Sequence, residues 1–417
     1  MPLALYLLAL AVFAMGTSEF MLAGLLPDLA ADLGVTVATA GALTSAFAVG
    51  MTVGAPLTAA LARNLPSRTS LLGFLLVFAA AHAAAATTTS FPVLFATRVI
   101  AALANAGFLA VALTAATALV PPDRKGRALG VLLSGTTLAT VAGVPAGAVL
   151  GTLLDWRATF WSVAALCLPA ALGILKAVPE RAAGRAGPGT PGTPGTPPLR
   201  SELAQLKSRQ LILAMLLGAL VNAATFASFT FLAPVTTGTA GLGRLWVPVV
   251  LMLFGAGSFA GVTVAGRLAD RRPGLVVAVG GPMLLIGWPA LALLAGSPVA
   301  LCTLVCVQGA LSFALGSTLI TRVLYAAASA PTMAGAYATA ALNVGAALGP
   351  LVAAAALTTP AGDLGPLWAS GLLVLPALLV ALPHRRAIVT SRSDEVRRDV
   401  ARTVEPDGAH PRAGERS

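Results

Sequence analysis

The sequence predicts an all-α membrane protein with twelve transmembrane helices in two pseudo-symmetric six-helix bundles. Hydrophobic residues make up 57% of the 417 residues and charged residues only 10%, and the mean hydropathy is +0.89. A soluble domain carries about 25% charged residues, so the composition excludes a water-soluble fold. The apolar runs are continuous and do not alternate, which favours helices over a β-barrel.

Twelve apolar runs can be placed along the chain, each near the ~20 residues that crossing a bilayer requires. The first six cover residues 3–26, 38–62, 69–88, 92–119, 128–152 and 158–178. The second six cover residues 211–234, 247–268, 275–296, 298–320, 333–358 and 366–384. We number them spans 1 to 12. The first run lacks a basic segment and a small-residue cleavage site, so we expect a retained helix and not a signal peptide.

The predicted domains follow from these runs. A first bundle over residues 1–178 and a second over 211–386 are separated by a linker, residues 179–210, and followed by a charged tail, residues 387–417. The linker contains Gly-Thr-Pro three times over residues 189–197, which is typical of a semi-extended spacer.

The basic residues indicate the orientation. Lysines and arginines concentrate in the loops on the side of both termini, and only Arg157 and Arg244 fall on the other side. The positive-inside rule therefore predicts cytoplasmic termini in the cytoplasmic membrane. This topology also accounts for the net charge of +11 without a nucleic-acid partner.

The two halves are related by an internal repeat of 207 residues. The matched pairs include Gly50 with Gly257, Gly54 with Gly261, Phe47 with Phe254 and Pro27 with Pro234. This ungapped register aligns span 1 with span 7 and span 2 with span 8, which indicates duplication of a six-helix unit. Secondary transporters often have this layout.

Two ionisable residues are predicted near the middle of the membrane, Glu19 in span 1 and Arg98 in span 4, with His82 a weaker third. A charge at that depth costs ~2.5–3.5 kcal/mol on insertion scales, so such residues are functional candidates by default. At about 1.5 Å per residue, Glu19 lies ~10 Å and Arg98 ~9 Å from the same side. They could meet if spans 1 and 4 are neighbours.

The chemistry of such a pair leaves two interpretations open. Burial favours a neutral carboxylic acid, whereas a nearby guanidinium favours the carboxylate. A carboxyl group balanced between these effects could carry a proton across the membrane. The alternative is a static ion pair that only joins two helices.

Polar and aromatic residues on otherwise apolar helices are candidates for a substrate cavity. They are Thr17, Asn105, Asn222, Gln308 and Asn343, with Phe20, Phe108, Phe226 and Phe229 beside them. Each of them alone could equally be a helix–helix contact. Because few charges accompany them, the cavity suits a neutral or weakly polar, partly aromatic molecule.

No catalytic constellation and no metal or cofactor site is predicted. His82, His384 and His410 are scattered, and no histidine and cysteine cluster has metal-ligand spacing. Span 5 instead carries Gly143, Gly147 and Gly151 around Pro145, a pattern that permits close helix packing and a bend.

Several motifs resemble those of the major facilitator superfamily. The loop after span 8 resembles its loop signature, Arg98 its span 4 arginine motif, and Gly143, Pro145 and Gly147 the span 5 motif that marks antiporters. Within that loop, Gly266, Arg267, Asp270 and Arg271 are candidates for a cytoplasmic gate, because a charged cluster at a helix end can bind one state of a moving element. The loop after span 2 has Arg63 in place of an aspartate.

More narrowly, residues 15–21 resemble the 12-spanner drug:proton antiporters. Residues 103–110, 133–137 and 318–325 resemble the actinobacterial chloramphenicol-resistance exporters. The resemblance implies proton-driven efflux of chloramphenicol across the cytoplasmic membrane. We expect a monomer in which Glu19 and Arg98 couple transport to protons. Two alternatives remain: efflux of another small molecule, such as a sugar or native metabolite, and a membrane receptor or assembly protein that transports nothing.

Overall fold

The computed structural model describes residues 1–61, 66–178, 199–269, 273–330, 333–381 and 383. Within these ranges, twelve helices are long and apolar enough to cross a membrane, and no residue is in a strand. The predicted fold class is therefore confirmed. Asp270, Arg271, the linker portion 179–198 and the tail 387–417 lie outside the described residues.

The first half contains spans 1 to 6, of which spans 1 and 5 are interrupted. Span 1 is Leu3–Phe20 followed by a 3₁₀ turn, Met21–Gly24, and span 5 is Lys125–Leu138, a π-helical segment Ala139–Gly143, and Val144–Leu153. The others are span 2, Val37–Leu61; span 3, Ser67–Thr87; span 4, Phe91–Ala118; and span 6, Trp156–Ala177. A short helix, Leu26–Asp32, joins spans 1 and 2.

The second half repeats the arrangement. Span 7 is Arg209–Thr230, extended by Leu232–Pro234 and a π-helical segment Val235–Thr239. The others are span 8, Trp246–Ala269; span 9, Pro273–Leu294; span 10, Pro298–Ala326; span 11, Ala334–Leu357; and span 12, Gly365–Ala381. Span 10 is six residues longer than predicted because Arg322 ends the apolar run without ending the helix, whose hydrogen bonds do not depend on apolar side chains.

The internal repeat also describes how the helices pack. A Cβ added to Gly50 would crowd the carbonyl of Val99, so spans 2 and 4 approach closely there. A Cβ added to Gly257 would overlap the carbonyl of Cys306, so spans 8 and 10 do the same. Cys306 follows Val99 by the same 207 residues that separate the two glycines. The register predicted for spans 2 and 8 thus extends to spans 4 and 10.

Contacts between the halves lie toward one end of the spans. We call the end where span 1 begins and span 12 ends the terminal face, and the other end the distal face. Near the distal face the Phe231 ring packs on Gly41 of span 2, and Arg244 forms an ion pair with Asp28. Leu251 of span 8 lies against Gly24 in the same region. Ala48 of span 2 also packs with Ala346 and Ala347 of span 11, so the halves meet from the middle of the membrane to its distal face.

The last part of the linker is helical and bound to the second half, which corrects the prediction of a semi-extended spacer there. The helix Leu199–Ala204 carries Glu202, which is 1% exposed and accepts a hydrogen bond from the Met333 backbone N–H at 2.9 Å. The Tyr337 hydroxyl donates to the Glu202 backbone carbonyl at 2.9 Å. The carboxylate lies at the N-terminus of span 11, where the helix dipole favours negative charge.

Candidate functional site

Glu19 lies where span 1 changes its helical geometry. The α-helix ends at Phe20 and continues as the 3₁₀ turn Met21–Gly24. The Glu19 side chain is partly exposed, and no described residue forms a hydrogen bond or ion pair with it. A carboxyl group inside a membrane span and without a protein partner is able to exchange a proton or contact a ligand.

Arg98 reaches span 1 one residue before Glu19. Its side chain is 1% exposed, Nη1 donates to the Ser18 hydroxyl at 2.8 Å, and Nη2 donates to the Ser18 carbonyl at 2.9 Å. The Phe47 ring covers the guanidinium at 4.4 Å, and the buried Nε has no hydrogen-bond partner among the described residues.

The structure thus brings spans 1 and 4 together at the predicted height, but Glu19 and Arg98 do not form the static ion pair that the sequence left open as an alternative. Arg98 binds Ser18, whose side chain projects about 100° around the helix from that of its neighbour Glu19. The sequence showed depth along each helix, whereas the direction of each side chain depends on the neighbouring helices.

His82 completes a directional chain of hydrogen bonds. Its Nε2 lies 2.7 Å from the Ser18 hydroxyl oxygen and its Nδ1 lies 2.8 Å from the Phe78 carbonyl oxygen. Because the Ser18 oxygen accepts from Arg98, its hydrogen is available to Nε2, and Nδ1–H donates to the carbonyl. His82 is 1% exposed and is therefore held as the neutral Nδ1–H tautomer between spans 1 and 3.

Five phenylalanines form a cluster across the two halves. Phe20 of span 1 lies 5.7 Å from Phe226 and 6.0 Å from Phe229 of span 7, measured between ring centroids. Phe229 lies 4.8 Å from Phe254 of span 8, which contacts Phe313 at 6.1 Å. Three of these were predicted as cavity residues. Phe254 was signalled only by its repeat with Phe47, and Phe313 by nothing in the sequence.

The predicted polar cavity residues divide by their hydrogen bonds. Asn222 donates to the Leu342 carbonyl of span 11 at 2.7 Å, while Asn343 and Thr17 bond to carbonyls of their own helices. The buried Asn105 amide makes no hydrogen bond to a described residue. Asn105 is therefore the one of these four with neither its amide donor nor its acceptor bonded to a described residue, whereas Asn222 and Asn343 use only their Nδ2 donors.

Phe108 and Gln308 are placed in helix packing and not in the predicted cavity. Phe108 is 0% exposed within the core of the first half. Gln308 is also 0% exposed, lies against Gly287 of span 9, and donates to the Leu284 carbonyl at 3.3 Å. Both face the neighbouring span of their own bundle, a direction that residue type alone does not reveal.

The sequence model of the Major Facilitator Superfamily matches residues 8–350. This chain belongs to the Major Facilitator Superfamily. It is 74% identical over 394 residues to the chloramphenicol resistance protein of Streptomyces lividans, covering 94% of this chain and 98% of that protein. It is 30% identical over 380 residues to the inner membrane transport protein YdhP of Escherichia coli (strain K12), covering 91% and 95%.

Solved structures share the superfamily fold. A bacterial homologue of the human lysosomal transporter Spinster aligns with a TM-score of 0.71 at 18% identity, covering 93% of this chain and 96% of that one. The human organic anion transporter MFSD10 aligns with a TM-score of 0.62 at 21% identity, covering 91% and 100%. The resemblance to this superfamily is therefore confirmed, and the chain is a multi-pass membrane protein of a transporter family.

In this superfamily member the span 5 motif lies where several helices meet. The π-helical segment Ala139–Gly143 ends one residue before Val144 and two before Pro145, whose ring displaces the preceding turn and which has no N–H to donate. A Cβ on Gly143 would overlap the Thr17 hydroxyl of span 1, and one on Gly255 of span 8 would overlap the Thr140 carbonyl. The distorted turn thus contacts span 1 and the second half together.

Gly147 and the predicted gate residues Gly266 and Arg267 lie in two different regions. Gly147 accepts a hydrogen bond on its carbonyl from the Thr159 hydroxyl of span 6 at 2.8 Å, and an apolar cavity of about 460 Å³ opens between spans 1, 5 and 6. Gly266 and Arg267 lie at the terminal-face end of span 8, and a Cβ on Gly266 would meet no atom within 4 Å. The gating role remains a prediction.

Proposed function

We propose that this protein exports chloramphenicol across the cytoplasmic membrane in exchange for protons and so confers resistance. The observation that carries the substrate is the 74% identity, over nearly the full length of both chains, to a chloramphenicol resistance protein. Membership of a transporter superfamily supports export as the means of resistance. Proton coupling is supported by the carboxyl group of Glu19 inside span 1, which has no hydrogen-bond or ion-pair partner among the described residues.

The charges support cytoplasmic termini. The described basic residues near the terminal face include Arg68, Lys125, Arg127, Lys176, Arg200, Lys207, Arg209 and Arg267. Near the distal face, Arg157 and Arg244 each form an ion pair with an aspartate. The positive-inside rule then makes the terminal face cytoplasmic. Since the halves contact each other toward the distal face, this conformation would load drug from the cytoplasm.

The central cluster suits a neutral aromatic drug. Phe20 and Phe226 stack with an interplanar angle of 29°, which offers flat faces to an aromatic ring. Asn105, whose amide makes no hydrogen bond to a described residue, is a further candidate for a polar contact with such a molecule. Glu19 directly precedes Phe20, so the two residues lie at nearly the same height in span 1.

The transport cycle then depends on the protonation of Glu19. A proton from outside binds Glu19 after the drug leaves on that side, and the protonated carboxyl group lets the halves rearrange without moving a charge through the membrane. Release of the proton to the cytoplasm restores the carboxylate, which the neighbouring Arg98 charge favours. Drug then loads from the cytoplasm.

A test of coupling compares Glu19→Gln with the matched acid variant Asp123→Asn, whose side chain is exposed at the terminal face. The Glu19→Gln variant cannot lose a proton, so we expect it to lower chloramphenicol tolerance to the level of cells that carry no transporter. Asp123→Asn should retain wild-type tolerance. When chloramphenicol is added to everted vesicles, those with the wild type or Asp123→Asn should release luminal protons. Vesicles with Glu19→Gln should release none.

The outcomes separate the remaining functions. Undiminished resistance of Glu19→Gln cells at equal membrane levels would contradict coupling through this residue. A panel of antibiotics and sugars in which wild type protects against another compound and not chloramphenicol would point to a different substrate. Absence of proton release with every compound would favour a receptor or assembly protein.

A further inference from the structure

The Arg98 guanidinium is buried, but none of the described carboxylates lies at ion-pair distance from it. Its two Nη atoms bind the hydroxyl and carbonyl of Ser18, and Phe47 covers one face of the guanidinium. A buried cation costs free energy unless polar groups compensate it. Ser18 supplies that compensation here, directly before Glu19 and two residues before the α-helical part of span 1 ends at Phe20.

The position of the Ser18 hydroxyl is determined by His82. Ser18 can accept from Arg98 only with its own hydrogen pointing elsewhere, and His82 Nε2 at 2.7 Å accepts that hydrogen. The imidazole is itself fixed by the Phe78 carbonyl and packs on Phe78 and Phe160 with centroid distances of 4.2 and 5.8 Å. Span 3 thereby orients an oxygen in span 1 toward the arginine of span 4.

Arg98 also has one further hydrogen-bond donor. Its Nε–H is buried and has no hydrogen-bond partner among the described residues. An ionised Glu19, one residue beyond Ser18, would attract this guanidinium, whereas a protonated Glu19 would not. The arrangement observed, with Arg98 on Ser18 and Glu19 unpaired, is the one expected when Glu19 carries its proton.

We propose that Ser18, oriented by His82, is an alternative hydrogen-bonding site for the Arg98 guanidinium. Arg98 binds this site while Glu19 is protonated and leaves it when Glu19 ionises. His82 is then a positioning residue for proton coupling, and this inference rests on the proposed antiport function. The titratable groups that spans 1, 3 and 4 bring to this place are Glu19, His82 and Arg98. The side chains that contact Arg98 and His82 from spans 2 and 6 are the rings Phe47 and Phe160.

The alternative hydrogen-bonding site for Arg98 predicts the direction of a pH effect. Without it, the state with protonated Glu19 loses the hydrogen bonds that compensate Arg98, so protonation requires a more acidic medium. Loss of one hydrogen bond to a charged group changes such an equilibrium by about tenfold or more. The pH at which proton release is half-maximal should therefore shift toward acid by about one unit.

The experiment uses two substitutions that divide the properties of His82. His82→Phe keeps a ring for packing but removes the acceptor, whereas His82→Gln keeps an acceptor near the Nε2 position without the ring. We expect His82→Phe to lower chloramphenicol-induced proton release at neutral pH about tenfold and to shift its pH profile toward acid. His82→Gln should restore release to within about threefold of wild type, and chloramphenicol binding should stay within about twofold in both.

Matched variants guard against a folding defect. Ser18→Ala deletes only the hydroxyl and should reproduce the acid shift of His82→Phe. Phe78→Leu alters the packing on the imidazole but keeps the backbone carbonyl, so the pH profile should remain that of wild type. The proposal of an alternative site for Arg98 is overturned if His82→Phe and Ser18→Ala retain the wild-type pH profile, or if His82→Gln is as impaired as His82→Phe. Absence of proton release in wild type would instead refute the proposed function.

Discussion

The two halves of this protein place opposite chemistry at matching positions of one repeat. Residue 207 positions after Glu19 is Phe226, and residue 207 positions after Arg98 is Val305. Phe226 belongs to the aromatic cluster, and Val305 is 1% exposed within the core of the second half. The ionisable pair of the first half is thus replaced by apolar side chains in the second.

One phenylalanine is repeated in the two halves but has different neighbours in each. Phe47 and its repeat Phe254 both lie on the second span of their bundle, yet Phe47 covers the Arg98 guanidinium whereas Phe254 packs on Phe229 and Phe313. The helix packing is shared, so the difference comes from the neighbouring side chains. Under the proposed function, this difference assigns the proton to the first half and much of the drug-binding surface to the second.

The largest effect is expected where the shared scaffold is closest packed. A Cβ at Gly257 would overlap the Cys306 backbone carbonyl, which cannot move without displacing span 10. Gly257→Ala should therefore lower the free energy of unfolding by about 3 kcal/mol. The measurement is the fraction of monodisperse protein in detergent after a heating series.

Gly50→Ala and Gly316→Ala provide the comparison. Gly50 meets a side-chain methyl, of Ala102, as well as the Val99 carbonyl, so its cost should be smaller, whereas a Cβ at Gly316 meets nothing within 4 Å. Equal thermal stability of the Gly257→Ala and Gly316→Ala variants would contradict the close contact between spans 8 and 10 at Gly257.

An intermediate effect is expected at the drug-binding surface of the second half. Phe226→Leu keeps the apolar volume but removes the ring that stacks on Phe20, so chloramphenicol affinity should fall by up to about tenfold. The pH at half-maximal proton release should not change, because Arg98 and Glu19 are untouched. Binding to purified protein and proton release by vesicles measure the two quantities separately.

The division between the halves would fail if this variant moved the pH profile and left affinity intact. Glu19→Gln is the converse case, in which coupling is lost while the aromatic surface remains. A variant pair that changes both quantities together would indicate that drug and proton share one set of contacts.

The smallest effect is expected at the ion pair between Asp28 and Arg244. The Arg244 side chain is 62% exposed, so Arg244→Gln should change stability by less than about 1 kcal/mol. Since this pair joins the two halves at the distal face, its loss should raise the population opened at that face by up to about fivefold. Distances between labels on the distal loops, in protein without its three native cysteines, report this population.

The within-half ion pair of Arg157 is the matched control. Arg157 binds Asp32 at 2.7 Å and donates to the Thr88 carbonyl at 3.2 Å, all inside the first half. Arg157→Gln should reduce thermal stability more than Arg244→Gln does, yet leave the label distances unchanged. Opening of the distal face by Arg157→Gln would contradict the assignment of Arg244 as the contact between halves.

Much of the site was visible in the sequence because membrane insertion penalises exceptions. Glu19 and Arg98 interrupt apolar runs at a cost that few residues incur without a role. The aromatic residues Phe20, Phe226 and Phe229, predicted as cavity residues, lie together in the structure, and their cavity role stays a prediction. Gln308 and Phe108 looked similar by the same criterion but face other helices of their own bundles.

The sequence by itself determined the twelve spans, the duplication and the depth of each ionisable residue, because apolar length and helical rise are local properties. Only the tertiary structure decided that Arg98 binds Ser18 beside Glu19 and that His82 orients this serine. These contacts join residues 64 and 80 positions apart, and their directions depend on how three helices rotate against one another. Periodicity along one chain does not contain that rotation.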